Sequence, residues 1–584
     1  MTRLAIPVFP LPDGEPSPRQ QLIATLARID GWGQGAWREI HATWRLRGGT
    51  LVIDDLEAGV SRDPDDRVVA ATLVLERHGL GAAREHDDAT CDWVLRLLWR
   101  SLMPRLRLTA TCHQPAASIR SVNACVLTPP RPGAPPGLVV RLLVRLPMAG
   151  MCCDGKRFAG FVRQLEDFAA ELASRRRRPD LDQHRRAVQI QRRLRAALPA
   201  HGLVAFIGDG ARLARDRSDH PSSTCRPLRA PPALRTTISL PGLGRFHGLG
   251  ITTGVTAIAG APYHGKSTLL QAIIAGRDDH PPGDGREQVV SDGTVVQIQS
   301  EDGRRIKSQD LSAFFSRLPG SPSTAFTTER ASGATSMAAT LLQAVAAGCR
   351  LLAIDEDSAA SNFLTIDPTM RRLLGAALDG TVTLLEMLPA LSRLGVSTVL
   401  VAGSQTQSLA CSDRVLLMEH YRPSDARRRV ARLLRRTRSV TSATVLSAPS
   451  RWLDDQRDGL FGQRHFLTVD ASEPERPVLL QQPLDLRRAG WTLDTALVRG
   501  ALAGAACVCR MAADGEASLE QLRLRYEQLI AAHGVRALDP FDTALIAAPA
   551  WQLVVCVLER LPIPQLASVR RTPAGRAGRG RASG

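Results

Sequence analysis

A glycine-rich segment near the middle of the chain has the residue types and the spacing needed to hold phosphate groups. It has the pattern GxxxxGKS followed by a threonine, and consists of Gly260, Ala261, Pro262, Tyr263, His264, Gly265, Lys266, Ser267 and Thr268. Glycines let backbone N–H groups turn inward around phosphate oxygens, and the lysine can reach the β- and γ-phosphates of a nucleotide. The serine hydroxyl suits the accompanying Mg²⁺. The segment predicts ATP and Mg²⁺ as cofactors, with Lys266 also catalytic and Ser267 a metal ligand.

The residues on either side supply the elements that must position this loop. Val255–Ala259 (VTAIA) is predicted as a short strand, and residues 269–275 as an apolar helix that ends at Gly276. A strand that runs through the loop into a helix places the positive end of the helix dipole at the phosphates. Lys266 is also one of only three lysines among 75 lysines and arginines, which favours a chemical requirement for it.

A second set of acidic residues follows another predicted strand. Residues 350–354 (RLLAI) are hydrophobic and lead directly into Asp355-Glu356-Asp357. In a parallel sheet such a strand delivers these carboxylates to the edge where ligands bind. Asp355 is predicted to hold the Mg²⁺ shell, and Glu356 to polarise the attacking water as a general base. The alternative interpretation is a solvated acidic turn.

Ser332 and Gly333 open a predicted apolar helix that runs to Ala347 and stops at Gly348. A serine hydroxyl and free N–H groups at a helix N-terminus can bind an anion, but they can equally form an ordinary N-cap. Read alone, the two residues leave both interpretations open.

Composition bounds the possible partners and location. The net charge is +18 with a pI near 10.4, which favours a polyanion such as RNA, although a GC-rich genome also explains many arginines. The sequence has no long uncharged apolar run and no secretory signal pattern, so we expect no membrane insertion and a cytoplasmic or organellar-matrix location. The eleven cysteines have no metal-binding spacing.

Basic residues concentrate in two segments and a tail. Residues 175–195 and 427–438 are arginine-rich, and residues 570–584 are rich in arginine and glycine. They can bind phosphates or form solvated helix faces. Aromatic residues are 4% of the chain and none interleaves with these runs, so we expect contacts to phosphates rather than base stacking.

The alternation of predicted strands and helices through the middle of the chain indicates a mostly parallel α/β sheet. The tail has too few apolar residues to fold. The predicted division is 1–165, an N-terminal α/β domain; 166–230, a basic helical region and linker; 231–425, the P-loop core; 426–454, a basic connector; 455–565, a C-terminal helical or α/β domain; 566–584, a disordered Arg/Gly tail.

Several motifs together resemble one family. They are residues 254–270 (GVTAIAGAPYHGKSTLL), 280–287 (HPPGDGRE), 300–304 (SEDGR), 331–333 (ASG), 354–357 (IDED) and 361–363 (SNF). This set is similar to the predicted ABC-class ATPases, a group of soluble P-loop proteins, some of which are associated with RNA processing. The resemblance implies an ABC-type core that works as a homodimer. One subunit then supplies the P-loop and the carboxylates, and the other supplies Ser332 and Gly333.

The sequence departs from transporter-type ABC ATPases in one place and is ambiguous in another. The strand predicted over 396–402 is followed by residues 403–407 (GSQTQ), which lack a switch histidine. Ser404 or Gln405 is the candidate to contact the γ-phosphate instead. The residue that takes the place of the Q-loop glutamine of ABC ATPases stays open among Gln297, Gln299 and Glu301.

Two other functions remain in competition with ATP hydrolysis. A P-loop phosphotransferase would use the same loop, but Glu356 and the serine-glycine helix start argue against it. Glu356 also argues against a scaffold that binds RNA and uses ATP only for assembly, but the unassigned switch residue leaves room for it.

Overall fold

In the computed structural model, no helix of the described residues is long and apolar enough to cross a membrane. The described part of the chain comprises residues 18–55, 68–75, 78–80, 87–105, 110–111, 114–128, 137–174, 176–217, 219–434, 446–447, 449, 451–453, 471, 473–479, 482–512, 517–538, 545–561 and 566–567.

The first part of the chain is an antiparallel sheet with helices packed against it. Its elements in chain order are α1 (Arg19–Ile29), β1 (Thr43–Leu46), β2 (Gly49–Asp55), β3 (Val68–Leu75), α2 (Asp87–Ser101), β4 (Ala110–Thr111), β5 (Cys125–Leu127), β6 (Leu138–Arg145), β7 (Met148–Ala149), β8 (Cys152–Cys153) and α3 (Gly155–Ala173). The strands are ordered β1-β2-β3-β6-β4, and β5 also pairs with β6. The buried residues of the sheet, α1, α2 and α3 form one hydrophobic core.

The middle part of the chain alternates strands and helices, as the sequence predicts. Its elements are α4 (Pro179–Ala197), β9 (Leu203–Gly208), β10 (Arg235–Leu240), β11 (Gly244–Thr252), β12 (Val255–Ala259), α5 (Lys266–Ala275), β13 (Val289–Ser291), β14 (Val296–Ile298), β15 (Ile306–Gln309), β16 (Phe326–Thr328), α6 (Gly333–Ala346), β17 (Leu351–Asp355), α7 (Ser361–Leu364), α8 (Pro368–Leu374), α9 (Leu384–Arg393), β18 (Ser397–Ala402), α10 (Thr406–Ala410), β19 (Arg414–Glu419), β20 (Arg422–Asp425) and α11 (Arg427–Leu434).

A six-stranded sheet organises this middle part. Its order is β14-β17-β18-β12-β19-β20, with β20 antiparallel to β19 and all other neighbours parallel. Successive strand side chains alternate between the two faces. Leu351 and Ala353 of β17 pack in one core with α5, while Leu352 and Ile354 pack in another with α6 and α9. Coverage on both faces explains the continuous apolar strands.

A second sheet of the middle part is antiparallel and has the order β10-β11-β9-β13. Its strand β9 (LVAFIG) is buried at all six positions. This strand lies in the segment predicted as basic helical region and linker, so the core extends further toward the N-terminus than the predicted boundary at residue 231. Six consecutive buried apolar residues are a strand signal that a charge-based boundary overlooks.

The last part of the chain is mainly helical with short strands. Its elements are β21 (Trp452–Leu453), β22 (Val478–Leu479), β23 (Gln482–Pro483), α12 (Thr495–Met511), β24 (Ala517–Ser518), α13 (Leu519–His533), α14 (Trp551–Leu558) and β25 (Leu566–Ala567). Strand β25 pairs with β21, so the start of the predicted disordered tail is structured. Residues 568–584 lie outside the described residues, as do Arg175 and residues 435–445.

The C-terminal helices pack against helix α6 of the middle part. Ala347, directly after α6, belongs to their hydrophobic core, and its carbonyl accepts a hydrogen bond from Gln552 Nε2 at 3.2 Å. Gln343 of α6 donates to Glu559 at 3.1 Å, and Glu559 forms an ion pair with Arg451 at 2.7 Å. Both ionic side chains are nearly inaccessible to solvent, so the C-terminal helices and α6 share a buried interface.

Candidate nucleotide site

The loop between β12 and α5 has the backbone geometry of a phosphate cradle. Gly260, Tyr263 and Gly265 have φ values of 149°, 63° and 92°, which are left-handed conformations that favour glycine. A Cβ on Gly260 would lie 2.4 Å from the Met418 carbonyl oxygen. Glycine at 260 is therefore required by a close backbone approach as well as by φ.

The N-terminus of α5 lies directly after this loop and is not capped by a side chain. Gly265 is the N-cap residue and no side chain bonds to the first turn, so the N–H groups there remain available to an anion. Lys266 Nζ donates to the Ala261 carbonyl at 3.0 Å and forms no ion pair within the described part of the chain. Ser267 is exposed beside it. The predicted strand, loop and helix are all present.

The ends of three parallel strands bring the sequence-predicted residues to one edge of the sheet. Ala259 at the end of β12 is in register with Ala402 at the end of β18, and Asp355 at the end of β17 is in register with Val401. Neighbouring strands are about 5 Å apart. The P-loop and the Asp355-Glu356 pair thus lie on either side of the β18 terminus, roughly 10 Å apart at the backbone.

Asp355 is a buried carboxylate without a basic partner. It is 8% exposed, and its Oδ1 accepts a hydrogen bond from the Asp357 backbone N–H at 3.3 Å. No lysine, arginine or histidine among the described residues forms an ion pair with it. A buried anion of this kind fits a divalent cation, because a bare buried charge is costly.

Glu356 is held by the residues that follow β18. Its Oε2 accepts a hydrogen bond from the Gly403 N–H at 2.7 Å, and its Oε1 accepts one from the Ser404 N–H at 3.2 Å. The Ser404 hydroxyl also donates to Oε1. From the sequence, Ser404 was expected only near the γ-phosphate, and this contact with Glu356 was not predicted. The signal was present, because β17 and β18 were both predicted to end next to these residues.

The structure separates the three candidates for the glutamine after β14. Gln297 Oε1 accepts from Gln271 Nε2 of α5 at 3.4 Å, which directs it into the protein. Glu301 is bound to Arg560 at 2.6 Å. Gln299 directly follows the end of β14, next to β17. It is therefore the candidate that lies at the nucleotide edge of the sheet.

Ser332 and Gly333 lie at the N-terminus of α6. Ser332 caps that helix by accepting from the Thr335 N–H at 3.4 Å, and its hydroxyl is exposed. Gly333 is in a crowded place, since a Cβ there would lie 2.3 Å from Ser300 Oγ. No hydrogen bond among the described residues links this pair to the P-loop.

A cavity of about 300 Å³ lies beside the P-loop. It was not predicted, because its walls come from distant parts of the sequence: Leu213, Ala214, Thr224, Cys225, Arg226, Leu228, Gly265, Thr268, Met418 and Tyr421. The turn between β19 and β20 contributes Tyr421, whose φ is 64°. Its backbone N–H donates to the His264 carbonyl at 3.2 Å, which holds the turn against the loop. The cavity is mostly apolar and open to the phosphate-binding residues.

The predicted basic segment over residues 175–195 is partly engaged inside the protein. Arg192 and Arg195 form ion pairs with Asp279 at 2.8 and 2.9 Å, and Arg178 lies 5.3 Å from the ring of Trp93. Four other arginines of the segment are exposed: Arg176, Arg177, Arg186 and Arg193. Only part of the segment is therefore a surface for an anionic partner.

Comparisons with known proteins agree on the middle of the chain. The ABC_ATPase P-loop domain family matches residues 177–451. The uncharacterised protein MJ1628 of Methanocaldococcus jannaschii is 32% identical over 248 residues, which are 40% of this chain and 54% of that protein. The chain thus spans about half the length of this curated relative.

Solved structures similar to this chain include two components of ABC transporters. One is cbiO1 from Clostridium perfringens, part of the ABC transporter complex cbiONQ, with 16% identity, 40% of this chain and 96% of that chain covered, and a TM-score of 0.25. Another is the ADP conformation of MJ1267, an ATP-binding cassette of an ABC transporter, with 12% identity, 34% and 92% covered, and a TM-score of 0.22. These scores are too low to support an argument about function.

The family match and the strand order support the same conclusion. The match covers the P-loop, α6 and the carboxylate strand in one continuous range, and the predicted α/β fold with an ABC-type core is confirmed. Residues 177–451, slightly less than half of the chain, thus match the ABC_ATPase P-loop domain family that the sequence motifs indicate.

Proposed function

We propose that this protein binds and hydrolyses Mg-ATP as a homodimer and acts on RNA. The observation that carries the proposal is the shared edge of the central sheet, where an uncapped helix N-terminus faces Asp355 and Glu356 across the end of β18. Phosphate binding and activation of water require these two groups close together but not in contact.

The residues of this edge divide the work of binding. The P-loop from Gly260 to Thr268 surrounds the phosphates with N–H donors, and Lys266 leaves the Ala261 carbonyl to bind the β- and γ-phosphates. Ser267 and Asp355 are the protein ligands of Mg²⁺, which neutralises phosphate charge when it is bound. The number of protein ligands is small, as is usual for Mg²⁺, which keeps phosphate oxygens and water as its other ligands.

The apolar cavity beside the P-loop is suited to the base of the nucleotide. Pockets of about this size, lined mainly by apolar side chains, commonly hold flat heterocycles. Met418 and Tyr421 form one wall and Leu213 and Leu228 another. The cavity meets the loop at Gly265 and Thr268, so a base there continues directly into the phosphates.

Glu356 acts as the general base and Ser404 controls its position. Both of its carboxylate oxygens accept hydrogen bonds from residues 403 and 404, which hold the carboxylate against the end of β18. Gln299, at the end of β14, is the residue placed to hold the water or the γ-phosphate.

A second copy of the chain completes the site. Ser332 and Gly333 offer a hydroxyl and the positive end of α6, which suits the γ-phosphate of ATP bound to the partner. A role across subunits is compatible with the contacts of the described residues, among which no hydrogen bond joins this helix terminus to the P-loop of the same chain. In the homodimer, each ATP lies between the P-loop of one subunit and α6 of the other.

Hydrolysis is tested by measuring phosphate release from ATP with no acceptor present. The wild-type protein should release phosphate, and Glu356→Gln should bind ATP normally but turn over roughly a hundredfold or more slowly, the usual cost of removing a general base. Wild-type turnover in Glu356→Gln would remove Glu356 from this role.

The same assay separates the competing function. A scaffold that binds ATP without hydrolysis is favoured by one observation, the sequestration of Glu356 by Gly403 and Ser404. Neither the wild-type protein nor Glu356→Gln would release phosphate if the protein is such a scaffold, even with RNA present. A wild-type ATPase would release phosphate. A phosphotransferase would need an acceptor for the phosphoryl group.

RNA binding is tested through its dependence on salt. A single-stranded oligouridylate should bind with a steep slope, because each neutralised phosphate contributes roughly 0.7 to the logarithmic salt dependence. Replacing the exposed Arg176 and Arg177 with glutamine should reduce that slope. The exposed Arg45 and Arg47, outside the basic segments, provide a control with the same change of charge. An equal effect in both double variants, or no binding at low salt, would contradict RNA as the partner.

A further inference from the structure

A cavity of about 510 Å³ lies between the segment after β14 and the C-terminal helices. Residues 301–305 form one side, and residues 483–488 with 560–561 form the other. Its lining residues carry three carboxylates and five guanidinium groups, the latter from Arg304, Arg305, Arg487, Arg488 and Arg560. The cavity therefore has an excess of positive charge, and it is separate from the P-loop.

Part of this excess is buried. Arg560 donates to both oxygens of Glu301 at 2.6 and 2.7 Å, and Arg304 lies 3.7 Å from the same carboxylate. The Arg304 and Arg560 side chains are each 5% exposed and that of Glu301 is 8% exposed. The nearby Arg451 and Glu559 neutralise each other. Among the described residues, two buried guanidiniums thus share one carboxylate.

A buried charge without a counter-charge is unfavourable, and Arg304 shows its effect. Burial, together with the charge of Arg560, lowers the pKa of Arg304 to about 10. Arg304 still carries its charge at neutral pH, so the excess persists. The Nε atoms of Arg304 and Arg560 are buried and have no hydrogen-bond partner among the described residues. An anion in the cavity would supply the missing counter-charge.

One arginine at the rim is available to bind such an anion directly. Arg488 is exposed, donates one hydrogen bond to the Ser300 carbonyl at 2.7 Å, and forms no ion pair with any described residue. Its neighbours are already committed, since Arg487 pairs with Asp485 and Arg305 with Glu329. A guanidinium has five N–H donors in a planar fork, so most of those of Arg488 remain free.

We propose that this cavity binds the phosphate group of a ligand, with Arg488 as the direct contact and the Arg304–Arg560 pair as the buried source of positive potential. A phosphate matches the forked donors of arginine and carries enough charge to offset the excess. The volume suits a small phosphate ester, and an exposed rim also admits a phosphodiester of single-stranded RNA. The site does not depend on ATP binding.

The cavity is close to the nucleotide edge but chemically distinct from it. Ser300, whose carbonyl binds Arg488, donates its N–H to the Ser358 carbonyl at 2.9 Å, and Ser358 Oγ donates to the Asp355 carbonyl at 3.1 Å. A phosphate that attracts Arg488 competes with the Ser300 carbonyl. The proposed ligand therefore binds at the far end of a short chain of hydrogen bonds from Asp355.

The experiment uses the full-length Lys266→Ala variant, so that the P-loop contributes little phosphate binding. Calorimetric titration is made with ribose 5-phosphate, with a ten-residue oligouridylate, and with ribose as the phosphate-free control. Binding of ribose 5-phosphate identifies a free phosphate ester as the source, whereas binding of the oligouridylate alone identifies the RNA backbone. Ribose itself should not bind.

The matched variants are Arg488→Gln and Arg525→Gln, both added to Lys266→Ala. Arg525 is also exposed, lies in the same C-terminal region, and donates one hydrogen bond to a backbone carbonyl, that of Met511. Arg488→Gln should weaken binding about tenfold or more, because a charge-assisted hydrogen bond is lost, while Arg525→Gln should leave it unchanged. Arg487→Gln, which leaves Asp485 unpaired at the cavity, should also weaken binding and serves if Arg488→Gln does not fold.

Two results would overturn the proposal. One is the absence of binding of either phosphate probe once Lys266 is replaced, which would assign all phosphate binding to the P-loop. The other is equal weakening by Arg488→Gln and Arg525→Gln, which would reduce the effect to net charge. Neither result bears on whether the P-loop binds ATP, since that is measured in the wild-type protein.

Discussion

Two helix N-termini of the middle domain differ in how their first turns are satisfied. At α5 the N-cap is Gly265, in a left-handed conformation and without any side-chain cap. At α6 the N-cap is Ser332, whose hydroxyl accepts from the Thr335 N–H at 3.4 Å. The family resemblance implies an anion at both termini, but only α5 lacks a side-chain cap.

The difference suggests what each terminus is for. Free N–H groups that are buried against a protein are costly, so an uncapped helix start beside a glycine loop is stable only if water or a ligand binds there. The start of α6 is capped by its own side chain and is stable without a ligand. The hydrogen bond from the Thr335 N–H to Ser332 is long, so this N–H can turn to a better acceptor when one is present. We expect α5 to bind ATP within the subunit and α6 to bind it only when a partner presents it.

The largest effect is expected at the open terminus. Lys266→Ala removes the mobile cation from the loop, and the charge-assisted hydrogen bonds lost are worth about 1.5–3 kcal/mol each. ATP affinity should therefore fall roughly a hundredfold or more, as measured by equilibrium binding of a fluorescent analogue.

Lys156→Ala is the matched control, because this lysine is exposed and pairs with Asp30 at 2.9 Å, away from the loop. It should leave ATP affinity unchanged. An ATP affinity of Lys266→Ala equal to that of the wild type would mean that α5 is not the nucleotide site, and the proposed difference between the two termini would be wrong.

A second effect, on turnover, is expected at the capped terminus. Ser332→Arg places a bulky side chain where the γ-phosphate bound to the partner subunit would dock. Hydrolysis should fall roughly a hundredfold, as when one donor to developing charge is lost, while ATP affinity stays near that of the wild type.

Mixing subunits makes this test specific. Heterodimers of Ser332→Arg with Lys266→Ala contain one site in which both termini are intact, so part of the activity should return. Ser518→Arg is the control, because Ser518 also caps a helix, α13, by accepting from the Gln521 N–H at 3.3 Å. A loss of hydrolysis in Ser518→Arg equal to that in Ser332→Arg would reduce the effect to damage at a helix cap.

The smallest effect concerns stability. Ser332→Ala removes a helix cap and should lower the free energy of unfolding by about 1 kcal/mol, as should Ser518→Ala. Urea denaturation measures both. If Ser332 also binds the γ-phosphate of ATP on the partner, only Ser332→Ala should slow hydrolysis. Slower hydrolysis in Ser332→Ala than in Ser518→Ala, at equal free energies of unfolding, would then separate ligand binding at α6 from simple helix capping.

The elements around the site were predictable because their signals are local. Val255–Ala259 has the bounds that its pattern predicts, and the P-loop is recognisable from residue types in one short run. The predicted domain boundary at residue 231 does not match the sheet that contains β9, because the signal that decides it is not local. Strand β9 has an apolar run of its own, but its membership in the core depends on pairing with β11 and β13, which no local pattern encodes.

The partners of individual side chains could not be predicted. Ser404 holds Glu356, and the two are 48 positions apart. Arg560 binds Glu301 across 259 positions. Neither pair has a spacing rule, because such contacts depend on the strand register and on how the C-terminal helices pack against α6.

The sequence alone determined the chemistry that is available: a phosphate loop, two carboxylates at a strand end, a serine-glycine helix start and a surplus of arginine. Backbone conformation and hydrophobic periodicity act over a few residues, and both can be read directly. The tertiary structure decided which groups are free and which are satisfied. It paired Arg192 and Arg195 with Asp279 and left Arg488 at the cavity without an ion pair among the described residues. Charge and burial act between residues that only folding brings together, and that is why these assignments had to come from the structure.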